Sequence, residues 1–522
     1  MQTRANHAHP ESLLTRLSET QVRVDNPYGV PVTLLAGRDV HIEPDGIEQL
    51  LSFLSITETL SALWEAEKEG HVRAFFGDAP GELRRVVLTP DFHRGGGIPV
   101  GTVADARRFV VPAAIGNDVC CGMRLLYTDV RRAELEPHMA ALESRLRALF
   151  FGGERDIPMS PRQREALLRE GLPGLLATAK DNRETGLWRY YDPAQQERDL
   201  EKVHFGGGLP ASGVFSFADY IRGSGAQDGR DAQIGSVGGG NHFVELQVVE
   251  DLHDGATAHA WGVGRDAVTV MVHSGSVGLG HAVGGHFDER ARALYPKGLI
   301  HPGHGFYFLP TEGPLAAEAA RYLDAMRNAA NFAFGNRLFL GLMMVRALSE
   351  VLGRRVQARL IYDAPHNLIW QEDEGRLLHR KGACPALGPS PESAGPFRYT
   401  GHPVIIPGSM GAASYLLAGA GNPEALCSAC HGAGRSLTRG QASHVEEAVY
   451  KQALAPLRVV TPIDPNAASI RLRRDILAKH HQRLMEEAPY AYKPITPVVK
   501  TVEDAGVARR VARLWPLLTV KG

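Results

Sequence analysis

The sequence predicts one large α+β domain, and three observations predict it. Short apolar segments separated by glycine turns run from Val86 to Tyr127 and recur at Val268–His273, the pattern of strands. A helical apolar period extends from Leu315 to about Leu352. No internal repeat and no linker-like stretch divides the 522 residues, so a single domain is expected although length alone would suggest roughly two to four. An apolar fraction of 44% and a charged fraction of 22% belong to a globular chain able to bury a large core.

Taken in order, residues 12–70 read as a mixed αβ opening. A helix is expected from Pro44 to Glu69, where Ile47, Leu50, Leu51, Leu54 and Leu60 recur near helical spacing. After the strands of Val86–Tyr127 a helix is expected from Leu135 to Phe151. The polar, Pro/Gly-rich stretch Gly152–Gly235 reads as an insertion holding a helix near Pro161–Lys180. The pattern from Leu315 places Tyr322, Met326, Ala329, Ala330 and Ala333 on the buried face, with Gly335 as a point of bending or division. Leu360–Glu372 reads as a strand with a turn, and Val445–Leu454 and Ser469–Glu487 as helices.

Charge and composition narrow the function classes. With 57 Lys+Arg against 58 Asp+Glu the net charge is −1, which excludes a domain that holds nucleic acid by bulk positive charge and leaves room for a local basic groove. Glycine, 57 of 522 residues, exceeds the usual share of about 7%, so many positions need crowded or left-handed backbone of the kind phosphate-cradling loops use. No apolar run follows the basic residue near Met1, which predicts a cytoplasmic protein without a signal peptide. The longest uncharged stretch, Tyr399–Pro423, carries Pro403, Pro407, Pro423 and five glycines, so it reads as a buried glycine-rich loop and not a membrane span. Five cysteines in so long a chain fit reduced thiols or metal ligands.

Five segments combine glycine-rich turns with metal-ligand side chains: Asp91-Phe92-His93-Arg94-Gly95-Gly96-Gly97, Gly116-Asn117-Asp118-Val119-Cys120-Cys121-Gly122, Gly238-Gly239-Gly240-Asn241-His242-Phe243-Val244-Glu245, Val272-His273-Ser274-Gly275-Ser276 and Ala364-Pro365-His366-Asn367. Each histidine taken alone is more often a hydrogen-bonded structural residue than a ligand, and Cys121 alone reads as a small buried hydrophobe. As a set they adjoin expected strands and are flanked by Gly, Asn or Ser, which leave room for an ion. One carboxylate, one thiolate and three imidazoles would suffice for two metal ions sharing Cys121, an arrangement suited to in-line attack on phosphorus.

A second constellation is Pro407-Gly408-Ser409-Met410-Gly411-Ala412-Ala413-Ser414, followed by Cys427-Ser428-Ala429-Cys430-His431-Gly432-Ala433-Gly434-Arg435. Glycines and seryl hydroxyls before an expected helix offer N–H and O–H donors to phosphate, and Arg435 offers a planar cation. His431 is either a structural histidine capping a glycine loop or a nucleophile able to hold a phosphoryl group as a phosphoramidate. Cys427-x-x-Cys430-His431 also matches the short pattern for covalent haem attachment. The usual setting of that pattern is an exported small domain, which this chain does not resemble. No second CxxC is present to complete a four-cysteine zinc site.

Together the motifs D-x-H-x-G, G-x-D-x-x-C-G, G-G-G-N-H-F-x-E, H-S-G-S, P-G-S-M-G and H-G-A-G-R, in order over more than 300 residues from about Pro90 to Gly522, resemble the RtcB family of RNA ligases. The resemblance implies a single RtcB-like domain over residues 1–522, its mixed sheets surrounding a metal and nucleotide centre, with a variable insertion at 152–235. It implies two Mn2+ ions, one held by Asp118, Cys121 and His242 and the other by Cys121, His273 and His366. It makes His431 the guanylylated residue, with Asp91 orienting it or a neighbouring ligand and Arg435 countering phosphate charge. GTP would be the co-substrate, its GMP moiety surrounded by Asn241, His242, Phe243, Val244, Glu245, His366, Asn367, Pro407, Gly408, Ser409, Met410, Ser414, His431, Gly432, Ala433, Gly434 and Lys521, with Tyr492 stacking on the base. The implied partners are RNA with 3′-phosphate or 2′,3′-cyclic phosphate ends, RNA with 5′-hydroxyl ends, and an archease-type activator.

The chain departs from the family pattern at a few points. Val277 follows H-S-G-S where many members carry arginine, and Asn117, Cys120 and Gly96 also differ from the commoner residues. The alternatives to a ligase are a metal-dependent phosphoesterase using the same ion pair and a non-catalytic RNA-end-binding paralogue. Neutral charge and Val277 together predict modest, strongly salt-dependent RNA affinity.

Overall fold

Two large sheets organise the chain. The structure, a computed structural model, describes residues 10–522 except 183, 216–233, 298, 300, 301, 304, 373, 374 and 456. The reading of the extreme N-terminus at residues 1–9 and part of the expected insertion, residues 216–233, lie outside the described residues. The fold is mixed α+β in a single large domain, as the sequence predicts.

The first sheet takes β1 (Leu14–Arg16), β2 (Gln21–Val24), β3 (Val32–Leu35), β4 (Glu82–His93) and β5 (Val100–Arg107), and is completed late in the chain by β12 (Asn367–Gln371) and β13 (Arg376–Lys381), in the order β1-β2-β3-β4-β5-β13-β12. The short β6 (Phe109–Val110) pairs with β10 (Leu309–Pro310). The second sheet takes β7 (Gly122–Arg131), β8 (Phe243–Leu252), β9 (Ala267–Ser274), β11 (Ala358–Pro365), β15 (Pro403–Ile406), β16 (Ser414–Gly419) and β19 (Ala508–Val520), ordered β11-β7-β9-β8-β19-β16-β15, with β18 (Arg458–Val460) parallel to β19. β14 (Ala383–Pro385) pairs with β17 (Ser428–Cys430). Every residue of β9 is buried, which explains its unbroken apolar run: a strand covered on both faces has no polar side to alternate with.

The helix Ala316–Leu352 packs on β9 and β7. It is continuous through Gly335, where the sequence reading placed a bend or division. A Cβ at Gly335 would lie 2.9 Å from the Leu167 methyl carbons, so this glycine admits the neighbouring helix Pro161–Glu170 and does not break its own. Burial is not confined to the expected face either. Leu323, Phe332, Phe334 and Leu338 are buried along with Tyr322 and Met326, and from Asn328 to Val345 the helix is enclosed on all sides.

Two other expected helices are divided. Pro44–Glu69 is a pair, Pro44–Leu54 and Ile56–Lys68, meeting at Ser55. The Ser55 hydroxyl donates to the Ser52 carbonyl at 2.8 Å and Thr57 Oγ1 to the Leu54 carbonyl at 3.0 Å, side-chain bonds that compete with the helical ladder. Pro161–Lys180 breaks at Gly171 (φ 71°, ψ −143°) between Pro161–Glu170 and Leu172–Thr178, a conformation reserved for glycine. The described part of the 152–235 segment is integral to the core, with Leu167, Leu168, Leu172 and Leu175 all buried in the main apolar cluster. The loop Pro407–Ala413 joins β15 to β16 as a hairpin and does not precede a helix, correcting that expectation.

Val277 opens the helix Val277–Leu294 at φ 50°, a left-handed conformation costly for a β-branched residue. Val277→Gly is therefore expected to raise stability by about 1 kcal/mol, the relieved strain exceeding glycine's extra freedom when unfolded. Equilibrium urea unfolding checks it, and a loss of stability would show that the valine side chain's packing outweighs the strain.

Candidate metal and nucleotide site

Strand register brings distant residues to one place. Gly122 lies opposite Ser274 on β9 and Pro365 on β11, and Phe243 on β8 lies opposite His273. Cys121, His242 and His366 adjoin those paired positions, so with His273 they meet at one end of the second sheet.

Cys121 Sγ lies 3.2 Å from His242 Nε2 and 3.2 Å from His273 Nε2. His273 Nε2 and His366 Nε2 are 3.3 Å apart, and His242 Nε2 is 2.7 Å from Asp118 Oδ2. Two groups form around the shared sulfur: Cys121, His273 and His366; and Asp118, Cys121 and His242. Ligands about 2.0–2.3 Å from a common tetrahedral ion stand about 3.3–3.7 Å apart, close to these edges. Asp118 Oδ1 is buried without a hydrogen-bond partner among the described residues, a further donor a cation would satisfy. A Cβ on Gly275 would strike the Asp118 carboxylate, so the glycine of H-S-G-S makes room for it.

The electrostatics suit a cation. Burial, then His242 and His431, holds His273 well below the ordinary imidazole value, and burial, then His431 and His273, does the same to His366. Both rings are neutral with lone pairs available. Burial, then Asp118, pushes the Cys121 thiol well above its ordinary value, so a cation must displace its proton to bind. Burial works against ionisation of Asp118, but His242 and Cys121 outweigh it and its carboxyl is held below the ordinary value.

His431 follows β17 and is 7% exposed. Its Nδ1 lies 2.9 Å from Asp91 Oδ2 and 2.8 Å from the Gly382 carbonyl oxygen. Two acceptors at one nitrogen place a proton on Nδ1, and in the neutral ring that tautomer puts the lone pair on Nε2. Asp91 is itself held by Thr89 Oγ1 at 2.5 Å. The His431 ring is centred 4.3 Å from that of His366, so the available nitrogen and the metal donors share one site.

That site is an open cavity of roughly 670 Å³ whose wall includes Asp118, Cys121, Asn241, Phe243, His273, His366, Asn367, Pro407 to Met410, His431 to Arg435, Tyr492 and Lys521. Some expected contacts do not reach the wall. The Val244 side chain lies in the core. Glu245 and Ser414 are joined through Gln247, whose amide donates to both at 2.6 and 2.9 Å, and Ser414 Oγ accepts the Gly408 N–H at 3.1 Å. They thus brace the loop. Burial pushes Glu245 up to about 7, and burial lowers Lys521 to about 8, its Nζ donating to the Gly240 carbonyl at 2.7 Å.

Arg435 is committed elsewhere. Its Nη1 donates to Glu487 and to the Tyr492 hydroxyl, both at 3.1 Å, its Nη2 to the Glu486 carbonyl at 2.5 Å, and its guanidinium lies 5.0 Å from the Tyr492 ring centre. This arginine holds the Tyr492 ring in place and has few donors left for phosphate. Lys381, which belongs to none of the sequence motifs, ends β13 and lines the cavity, 6% exposed. Its side-chain nitrogen has no hydrogen-bond partner among the described residues, and burial lowers it from 10.5 to about 7. A lysine closing a buried strand before Gly382 was the available signal.

A lysine so placed destabilises the protein when no anion faces it. Lys381→Met is expected to stabilise the ligand-free chain at pH 7 by about 1–3 kcal/mol, the scale of a buried polar group left without a partner. Between pH 7 and 10.5 the unfolded chain keeps this proton and the folded chain releases it, so wild-type stability rises with pH through that window. Denaturation at several pH values should show this contribution vanish in the variant, and an unchanged pH profile would refute it.

A thiol, carboxylate and imidazole cluster able to hold a metal ion shares a glycine-lined cavity with a carboxylate-held histidine, on an α+β frame. The family model described as tRNA-splicing ligase RtcB matches residues 76–522. The chain belongs to the RtcB family. It is 33% identical to the tRNA-splicing ligase RtcB of Thermococcus kodakarensis over 464 residues, 85% of this chain and 89% of that protein. It is 34% identical to the RNA-splicing ligase RtcB of Mycobacterium bovis over 464 residues, covering 85% and 98% of the two chains. The tRNA-splicing ligase RtcB of Pyrobaculum aerophilum is 31% identical over 475 residues, covering 85% and 89%. No helix among the described residues is long and apolar enough to cross a membrane.

Proposed function

We propose that the chain is a GTP- and manganese-dependent RNA ligase joining 3′-phosphate or 2′,3′-cyclic phosphate ends to 5′-hydroxyl ends. The observation that carries the reading is His431, its Nδ1 proton held by Asp91 and Gly382 and its Nε2 free beside the donor cluster. Asp118, Cys121 and His242 would hold one ion and Cys121, His273 and His366 the other, supplying charge neutralisation at the phosphates.

In the first step His431 Nε2 attacks the α-phosphorus of GTP, a P–N bond forms and pyrophosphate leaves with the bonding pair. Asp91 keeps the imidazole oriented and stabilises the charge its ring acquires. An RNA 3′-phosphate oxygen then attacks the same phosphorus and the electron pair returns to Nε2. A cyclic end is first opened by water. Finally the 5′-hydroxyl oxygen attacks the activated 3′-phosphorus, GMP departs and the phosphodiester is complete. Tyr492, held by Arg435 and by its own hydroxyl on Glu487, supplies a flat face for the base. Lys381 offers a cation to a phosphate in the cavity. For the RNA body, the exposed Arg471, Arg474, Lys479 and Arg483, on and just before the helix Arg474–Glu486, give local positive charge to a chain of net −1.

The test is incubation with GTP labelled at the α-phosphate and Mn2+, then addition of RNA bearing the two ends. An acid-labile protein adduct that transfers its label to the RNA 3′ end and disappears on ligation is expected. No adduct with any of the four nucleoside triphosphates under Mn2+, Mg2+, Co2+ or Zn2+ would overturn the reading in favour of a phosphoesterase or an RNA-end-binding protein.

A further inference from the structure

Behind the donor cluster lies a charged side chain that none of the chemistry above uses. Arg337, from the middle of the helix Ala316–Leu352, is 0% exposed. Its Nη1 donates to the carbonyls of Cys120 at 2.7 Å and Ser274 at 3.1 Å, its Nε donates to Asp363 Oδ1 at 2.9 Å, and its Nη2 lies 3.9 Å from Cys120 Sγ. Cys120 precedes Cys121, Ser274 follows His273, and Asp363 stands three residues before His366 on β11. One planar group therefore grips the three backbone segments that carry Cys121, His273 and His366.

Two local features show that the fold accommodates this grip. Cys120 takes φ 57°, a left-handed conformation that a non-glycine residue keeps only where its surroundings impose it. Its N–H donates to the Asn367 carbonyl at 2.7 Å while Arg337 holds its carbonyl, so the strained residue is fixed at both ends. At Gly122 a Cβ would come 3.0 Å from the guanidinium carbon and 2.9 Å from the Pro365 Cα, so the glycine of G-x-D-x-x-C-G leaves the space the guanidinium fills. Asn336, the preceding residue, extends the same brace, its amide donating to the Gly275 carbonyl and to Ser274 Oγ, each at 3.1 Å.

We propose that Arg337 is a positioning residue for the metal centre, tying the Cys121, His273 and His366 segments to the long helix through the Cys120 and Ser274 carbonyls and Asp363. The inference rests on the metal reading given above. A lysine would keep the charge but offers a single point where the guanidinium offers a rigid fork to three acceptors. Supports of this kind typically change metal affinity by about 10–100-fold.

The experiment strips the full chain with a chelator and titrates it with Co2+, following the thiolate-to-cobalt charge-transfer band and the d–d bands. Wild type should show both, and Arg337→Lys should weaken Co2+ binding by about 10–100-fold and shift or diminish the thiolate band, with its circular dichroism unchanged. Arg124→Lys is the control, because Arg124 contacts the other Asp363 oxygen at 3.1 Å without holding either carbonyl, and it should leave the band in place. If Arg337→Lys does not fold, Asp363→Asn, which loosens the same guanidinium while keeping its shape, is read instead with the same expectation. Unchanged Co2+ affinity and spectrum in the folded variant, or an equal loss in Arg124→Lys, would overturn the positioning role alone. Absence of a thiolate band in wild type would overturn the metal reading and this inference with it.

Discussion

His431→Ala is expected to abolish covalent GMP labelling altogether, leaving metal binding within a few-fold of wild type. Alanine removes the imidazole nitrogen assigned to the P–N bond, while the five candidate ligands stay in their groups. Asp91→Asn separates attack from orientation. Its Oδ2 lies 2.9 Å from His431 Nδ1 and also accepts the His431 N–H at 3.3 Å, while Oδ1 accepts from Thr89. The amide retains the shape but loses the charge, and in one of its two orientations turns an N–H toward the ring. Labelling should therefore slow by about 10²–10⁴-fold, as expected when the partner that fixes a histidine's tautomer is neutralised. Single-turnover measurement of adduct formation reads both. Labelling of His431→Ala at the wild-type rate would place the nucleophile elsewhere, and an unaffected Asp91→Asn would remove Asp91 from the reaction.

Cys121→Ala is the second large effect. Cys121 is the one residue common to both donor groups, so its loss removes a ligand from each. Metal affinity should fall more than about 100-fold, beyond what supporting residues contribute, and labelling with GTP should cease. Stability should change far less, by about 1 kcal/mol, because only a buried sulfur is deleted. Calorimetric titration with Mn2+, thermal unfolding and labelling on the same preparation distinguish these outcomes. Retained labelling would sink the shared-ligand assignment, and global unfolding would show that the thiol is structural first.

Much of this site is legible in sequence because its chemistry is local. Asp118, Cys121, His242, His273, His366 and His431 each sit in a short motif whose glycine or small neighbours announce a crowded turn, and all six come together. Gly275 and Gly122 bear this out in detail, since a Cβ at either would collide with Asp118 or with the Arg337 guanidinium and its neighbours. Helix boundaries are less legible where side chains intervene. Ser55 and Gly171 divide helices that apolar periodicity alone runs together, and Gly335, a breaker by local rules, lies in an unbroken helix because the Pro161–Glu170 helix packs against it.

What the sequence determined by itself was the family, the α+β class and the candidate groups for a metal and a nucleotide, because residue type and short spacing carry that information. The tertiary structure alone decided how those groups are used. Arg435 looks free in its glycine-rich motif and is bound to Glu487 and Tyr492, whereas Lys381 and Arg337 carry no motif of their own, yet one is a buried amine at the cavity and the other binds the Cys120 and Ser274 carbonyls behind the candidate donors. The physical reason is that a charged side chain's role depends on which acceptors burial leaves within its reach. Those acceptors arrive from segments up to 217 residues away, brought by strand register that no local pattern specifies.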